Sequence, residues 1–426
     1  MPATGVAGGL TADQVAAAAV ASSPELAARR ADVRAAAAGV RQALDAYIPQ
    51  VKLTARYTRL SGIDAPSLGN LVEAAALRNL FPVLLDQTTF DAQIDVPVSD
   101  YVLRLAHAAA AARHSEHAAH LLEDAEHRRI AADARLAYYT WARARLEAVV
   151  AADAVRQADL HLADVQHRLD ADRANRADVM RVESQRAAAE QLRVRADNLA
   201  EVAEADLRIR LGAPMGTLAI GEDLSADLPL IAPGKLDDLV AVAIAHRPEL
   251  HALGDNAAAL REQAEAARAA ALPRFDLFGD VMTADPNPRY LPPVDQFRSS
   301  WSVGGELTWA IGELPRQLAA AKQLRARADG ADAELAKLVN GVRLEVAQAI
   351  AAIDNAITAQ ETTRRGLASA EESYRVRRAV FLDGRATSTE LTDAETELTR
   401  ARLDAIDARI EARTASVRLT HALGRT

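Results

Sequence analysis

Seven of the ten histidines fall on one predicted helix and are the residues that most readily suggest chemistry. They are His107, His114, His117, His120, His127, His161 and His167. Imidazole is a common metal ligand, so a relay of metal sites is one interpretation. At about 100° per residue, however, the seven do not form one stripe, and no carboxylate completes a ligand set at each step. Solvated helix surface is therefore favoured, and no metal is expected.

Catalytic motifs are also missing from the sequence. The string His114-Ser115-Glu116-His117 is not H-E-x-x-H, and without cysteine it is not a zinc deaminase motif. The sequence contains no G-x-S-x-G elbow, Walker loop or dinucleotide fingerprint. We therefore expect a protein that is not an enzyme and needs no cofactor.

The composition favours extended helices. Half of the 426 residues are apolar but only 4% are aromatic, and alanine dominates. The net charge of −9 is spread along the chain without a basic stripe, which argues against nucleic acid as a partner. Cysteine is absent from the sequence, so no disulfide, thiolate metal site or lipid-bearing cysteine is expected. No transmembrane helix is expected, because no run of eighteen apolar residues occurs.

Long helices are predicted where glycine and proline are missing. Neither occurs between Asp100 and Leu211. Apolar residues recur seven apart in four sets, which indicates coiled-coil packing: Val155/Leu162/Leu169, Val339/Val346/Ile353, Leu367/Tyr374/Phe381 and Leu403/Ile410/Val417. A continuous helix from Ser99 to Leu169 would be roughly 105 Å long. The segments Arg176 to Leu211 and Leu236 to Ala271, about 54 Å each, would match it when stacked end to end.

The chain also contains the same order of segments twice. Ser23-Pro24-Glu25-Leu26 recurs as Arg247-Pro248-Glu249-Leu250, and Pro49 recurs as Pro273 at the same offset. Leu211-Gly212 and Leu423-Gly424 end the two halves. We predict two tandem repeats, 1–212 and 236–426, joined by an equatorial linker, 213–235, that should be open to protease.

Each repeat contains two short segments in which apolar and polar residues alternate, which predicts strands. The predicted strands cover about 50–59, 88–98, 274–283 and 299–311, and loops cover 61–87 and 284–298. One face is apolar, with Tyr57, Trp301 and Trp309 as a candidate membrane girdle. Such segments are typical of a transmembrane β-barrel. Because four strands cannot close a barrel without open edges, several chains must contribute, and three would supply twelve strands.

Each half contains the same order of elements: helix, strand, loop, strand, long helix and return helix. Together with the paired Pro-Glu-Leu segments and the Leu-Gly ends, this order resembles the TolC-like outer-membrane factor family. The resemblance implies a mainly α-helical homotrimer with a twelve-stranded barrel in outer-membrane lipid and a coiled-coil tunnel across the periplasm. It also implies an exit duct for an inner-membrane transporter joined by a periplasmic adaptor. Drug efflux, metal efflux and type I protein secretion stay open as cargoes. The sequence begins without a basic region followed by an apolar one, so a signal peptide is expected to be either absent or already removed. A soluble coiled-coil scaffold without a barrel is the alternative.

By the same resemblance, the turns after the two long helices form the periplasmic tip. The family's constriction acids fall on Glu390 and Asp393, which share a helix face, and close packing in a trimer is expected to raise their pKa values. Asp170, Asp172 and Asp178 of the first repeat are candidates for a competing ring. Adaptor contact falls on Leu382, Asp383, Gly384 and Arg385, and on Arg173 and Arg176 of the first repeat.

Both turns depart from the family pattern, and the first has two arginines where apolar residues are common in the family. Asp172 stands where the family has glycine, and Ala386 replaces an arginine. Gly384 suits a left-handed turn residue, and Asp172 tolerates the same conformation. Thr387 or Ser388 is expected to cap the return helix.

Overall fold

A computed structural model describes residues 4–62, 84–212, 218–230 and 232–425. The fold is mainly helical with four strands, as predicted. The helices are α1 (Ala12–Ser22), α2 (Pro24–Asp45), α3 (Val98–Leu103), α4 (Leu105–Asp170), α5 (Arg176–Leu211), α6 (Leu236–His246), α7 (Pro248–Ala269), α8 (Leu314–Leu382) and α9 (Ser388–Ala422). The strands are β1 (Gln50–Arg59), β2 (Asp86–Val96), β3 (Arg274–Asp285) and β4 (Arg298–Thr308).

The chain forms two compact units, and each unit takes segments from both halves of the sequence. The first comprises residues 1–32, 120–251 and 335–426, and the second comprises 33–119 and 252–334. These units are defined by contacts and not by repetition. The repeat boundaries at 212 and 236 therefore stay a prediction.

The second unit contains one antiparallel sheet in the order β1-β2-β3-β4. Leu53 pairs with Ala92, Ala92 with Val281, and Val281 with Trp301, so these four residues share one face. The large apolar side chains of that face are exposed: Val51, Leu53, Tyr57, Phe90, Ile94, Phe275, Leu277, Val281, Trp301, Val303 and Leu307. The predicted period of two is confirmed.

Prolines and a short helix set the element ends that differ from the sequence prediction. β2 ends at Val96 and not at 98, because Pro97 has no N–H for the ladder. β3 continues to Asp285, next to Pro286, and β4 ends at Thr308 before a 3₁₀ turn. The expected single helix from Ser99 is broken at Arg104, between α3 and α4.

The first unit has a core in which the N-terminal segment and the residues around 220 are tied to α4. Leu10 and Ile220 form a parallel bridge. The carboxylate of Glu222 accepts hydrogen bonds from the Ala12 amide at 2.6 Å and from the Tyr139 hydroxyl at 3.0 Å. Burial raises the pKa of Tyr139.

Residues 218–230 of the predicted linker are therefore attached to this core, in which Ile220 is buried. Arg413 of α9 donates to the carbonyls of Asp223 and Ala226 at 2.9 and 3.1 Å, and Leu224 is buried. Parts of the predicted linker and of the predicted loop 61–87 lie outside the described residues. Protease access to the linker stays a prediction.

The Leu-Gly end of each half makes the same close contact. Gly212 and Gly424 both have positive φ, 66° and 67°. A Cβ on Gly212 would lie 2.6 Å from the Ser22 side chain, and one on Gly424 would lie 2.9 Å from the His246 backbone. Glycine is required at both positions because helix ends approach each other there.

Candidate functional site at the helical turns

The turn between α4 and α5 and the turn between α8 and α9 have the same backbone structure. Asp172 has φ 55° and Gly384 has φ 76°, so both occupy the left-handed region, as predicted. The Arg173 amide donates to the Arg168 carbonyl at 2.7 Å, and the Arg385 amide donates to the Val380 carbonyl at 3.0 Å. These bonds satisfy carbonyls at the helix C-terminus, as in a Schellman motif.

Each turn is followed by a capping box that starts the return helix. Thr387 is the N-cap of α9, and its hydroxyl accepts from the Glu390 amide at 3.3 Å. Asn175 is the N-cap of α5, and its side chain accepts from the Asp178 amide at 2.9 Å. The Thr387 cap was predicted. Asn175 was missed, although an Asn three residues before an Asp is a recognisable capping pattern.

The carboxylate of Glu390 is already bonded within one chain. One oxygen accepts from the Thr387 amide at 2.9 Å and from its hydroxyl at 3.1 Å, and the other accepts from Arg377 at 2.6 Å. The Thr387 amide, then its hydroxyl, then Arg377 hold the pKa of Glu390 below its usual range. This direction is opposite to the one expected for a ring of like charges, because hydrogen-bond donors surround the carboxylate. The ring itself, which needs other chains, stays a prediction.

A small apolar core joins the two turns. Its buried residues are Val165, Val179, Val182, Phe381 and Leu391. Arg168 lies 4.0 Å from the centre of the Phe381 ring and donates to the Phe381 carbonyl and, at 3.3 Å, to the Leu382 carbonyl. Arg181 of α5 donates to the Thr389 hydroxyl at 2.5 Å. The sequence-predicted tip residues are thus brought together around one core.

Most of the predicted tip residues are exposed and are not part of that core. The exposed residues are Asp170, Asp172, Arg173, Arg176, Leu382, Asp383, Gly384, Arg385 and Asp393, whereas Asp178 and Glu390 are partly buried. Arg385 forms an ion pair with Asp383 at 3.2 Å. The exposed set carries charges of both signs.

The prediction that all seven helical histidines are solvated is wrong for His161, which is only 2% exposed. Its Nδ1 lies 3.0 Å from a Glu395 carboxylate oxygen, and its Nε2 lies 3.2 Å from the Ser388 hydroxyl. A signal was available, because His161 stands between the small Ala158 and Val165 at spacings of three and four. Ala158 and Val165 are both buried, so this stripe faces the core.

Three other histidines pair with carboxylates of α7. His107 Nδ1 lies 2.6 Å from Glu262, and His114 and His117 share Asp255 at 2.8 and 2.5 Å. Burial alone would raise the pKa of Asp255, but the two histidines lower it. Among the described residues, no group of three or more candidate ligands could hold a metal.

The candidate girdle residues lie on or next to the exposed apolar face. Trp301, Tyr57 and Trp309 are 72%, 64% and 52% exposed. Trp309 also donates from Nε1 to the Ala271 carbonyl at 3.3 Å. No helix within the described ranges is both long enough and apolar enough to cross a membrane.

Comparisons with known proteins agree with this arrangement. The family model described as outer membrane efflux protein matches residues 239–425. The fold is similar to that of CusC, with a TM-score of 0.81, 18% identity and coverage of 97% of this chain and 92% of that one. It is also similar to VceC of Vibrio cholerae, with a TM-score of 0.77, 18% identity and coverage of 97% and 96%.

A third solved structure, the open-state MtrE outer membrane channel of Neisseria gonorrhoeae, has a TM-score of 0.77 at 18% identity and covers 97% of this chain and 89% of that one. None of the curated proteins matches the sequence significantly. The matched family and folds are those of channels and not of enzymes.

Proposed function

We propose that this chain is one protomer of a trimeric outer-membrane channel. Its second half matches the outer membrane efflux protein family, and its fold is that of the TolC-like outer-membrane factors. The channel would be the passive exit duct of a tripartite efflux or type I secretion system. A periplasmic adaptor and an inner-membrane transporter would be its partners. The soluble scaffold considered from the sequence is not supported by the family or by the related folds.

The observation that carries this proposal is the four-stranded sheet. Its apolar face is exposed along all four strands, and among the described residues β1 and β4 each have one neighbouring strand. In hydrocarbon, an unpaired strand edge would leave backbone N–H and C=O groups without partners. Pairing β1 of one protomer with β4 of the next would satisfy both edges, and three protomers would close a twelve-stranded barrel.

The direct test is assembly and conduction. We expect the protein to require detergent for extraction from outer membranes, to run as a heat-modifiable trimer, and to form ion channels in planar bilayers. Extraction by salt alone, as a monomer without conductance, would exclude the proposal.

A matched pair of substitutions tests which face meets lipid. Leu53 is 77% exposed on the apolar face, and Lys52 is its neighbour on the other face. Leu53→Arg should cost about 2 to 4 kcal/mol of barrel stability near the bilayer midplane, whereas Lys52→Arg should cost almost nothing. Equal tolerance of the two, measured as heat-modifiability of the trimer, would rule out this face as the lipid contact.

Ion selectivity would be set at the tip. We assign the constriction to rings of Glu390 and Asp393, with Asp170, Asp172 and Asp178 as the competing acids. These residues lie in or next to the two turns, and a threefold axis would bring three copies of each together. Replacing Glu390 and Asp393 with Gln and Asn should weaken cation selectivity and relieve block by multivalent cations. Unchanged selectivity would move the constriction to the first-repeat turn.

A further inference from the structure

A buried polar contact joins the two hairpins that carry the tip turns. His161 belongs to α4, and Ser388 and Glu395 lie one heptad apart on α9. His161, Glu395 and Ser388 are 2%, 5% and 8% exposed. The distances of 3.0 Å from Nδ1 to Glu395 and 3.2 Å from Nε2 to Ser388 engage both ring nitrogens.

The order serine, histidine, carboxylate occurs in nucleophilic catalysis, but here the array is closed to substrate. Ser388 and His161 are buried, and the Phe381 ring stands edge-on to the imidazole at 5.3 Å between centroids. A carbonyl compound could not approach the hydroxyl. The contact therefore positions helices.

The charge balance of this contact depends on the imidazole. Neutral His161 can donate from Nδ1 to Glu395 and accept from Ser388 at Nε2, which leaves one negative charge buried. Protonated His161 donates from both nitrogens, and the imidazolium and the carboxylate then neutralise each other. An unpaired buried carboxylate is costly, so protonation and closure of the contact favour each other.

Within the part of the chain that the structure describes, His161 is the one side chain that forms an ion pair with Glu395. From α5, the neutral Gln185 amide donates to Glu395 at 3.1 Å. From α8, Tyr374 lies in the same cluster, and burial raises its pKa, with Arg378, Glu395 and Arg402 as charged neighbours. Arg168 from α4 is directed to the Phe381 ring and carbonyl.

We propose that the His161–Glu395–Ser388 contact is a proton-sensitive clamp that holds the two tip turns of a protomer together and tightens when His161 is protonated. Histidine is the side chain whose charge most readily changes in the pH range where proteins work. Acidification would then favour the closed arrangement of the turns, and neutral or alkaline pH would loosen it. The consequence for conduction rests on the channel function proposed above.

The first test does not require conduction. The sequence has no cysteine, so Arg385→Cys, at an exposed turn residue, gives a unique site for a nitroxide spin label. At sub-stoichiometric labelling, label mobility should fall as pH is lowered from 8 to 5.5. His161→Gln, which keeps hydrogen-bonding groups but cannot titrate, should abolish that change.

His167→Gln is the matched control. His167 lies on the same helix, six residues farther on, and is exposed. It should keep the pH response of the parent protein. If His161→Gln reduces folding, Ser388→Ala provides a second route, because it removes the Nε2 partner and should weaken the response without removing the titrating group.

The second test measures the channel. When the side of the bilayer that faces the tip is acidified, the open probability should fall at least about fivefold, which is the lower end of typical coupling between two sites. In His161→Gln, the open probability should no longer depend on pH. An unchanged pH response in His161→Gln, or equal loss in His167→Gln, would overturn the clamp. Absence of any conductance together with a normal mobility response would instead refute the channel and leave the clamp standing.

Discussion

The two tip turns have one backbone structure but different side-chain chemistry. The residue in the left-handed region is Asp172 in the first turn and Gly384 in the second. The acid of the capping box is Asp178 in the first turn and Glu390 in the second. In the bonds described for these two carboxylates, Glu390 also accepts from Arg377, and Asp178 accepts from no arginine. The comparison shows that this backbone conformation needs one residue that tolerates the left-handed region and one N-cap. The exposed residues of the two turns can therefore differ from each other.

The largest expected difference concerns the last core residue of each long helix. Phe381 is 2% exposed, whereas Leu169, at the corresponding place, is only partly buried. Phe381→Ala should destabilise the tip by about 3 to 5 kcal/mol, since it removes the ring that His161 and Arg168 contact. Leu169→Ala should cost less than half as much. Hydrogen exchange of the α9 first turn measures both, and equal losses would show that the two turns contribute equally to the core.

Exchanging the left-handed residues should have smaller and opposite effects. Gly384→Ala places a Cβ in the left-handed region and should cost about 1 to 2 kcal/mol. Asp172→Gly relieves the same strain and should be neutral or stabilising by up to about 1 kcal/mol. Thermal unfolding of the two variants gives the signs. A destabilised Asp172→Gly would mean that the carboxylate itself holds the first turn.

Removing the caps should have similar effects in the two turns. Thr387→Ala and Asn175→Ala each leave an orphan amide and should cost about 1 kcal/mol. Thr387→Ser and Asn175→Asp keep the acceptor and serve as controls. Amide exchange at residues 178 and 390 reports each cap separately, and a much larger loss at Thr387 would indicate that Arg377 depends on the cap.

The smallest expected effect is a pH dependence confined to the second turn. The pKa of Glu390 is lowered in the folded chain, so its contribution is present above the ordinary carboxyl pKa and is lost as pH falls through the lowered value. The start of α9 should therefore fray in acid. Glu390→Gln should remove this dependence, and persistence of the same profile in that variant would assign it to another group.

Sequence periodicity predicted the elements because burial repeats along them. The alternation in β1 to β4 gave the correct face, and the last strand residues shifted only where Pro97, Pro286 or a 3₁₀ turn intervened. Gly384 and Thr387 were predictable because turn and cap chemistry is local.

Long-range polar contacts could not be predicted in the same way. His161 is one histidine among seven on its helix, and its partners Ser388 and Glu395 are more than two hundred residues away. In the sequence, Glu222 resembles any acidic residue of a loop, and only the structure shows that it bonds Tyr139 and the Ala12 amide. A local sequence pattern does not indicate which distant residue forms the hydrogen bond with a buried polar group.

The bond between the Ala12 amide and Glu222 spans 210 residues of chain, and it has a kinetic consequence. Contacts of such high sequence separation form late, because the entropy of closing the intervening loop must be overcome first. A chain synthesised from its N-terminus exposes the segment before α1 until more than half of the sequence has been made. Folding intermediates that form before residue 222 is made should therefore lack this contact, and the start of α1 should gain protection only after it closes.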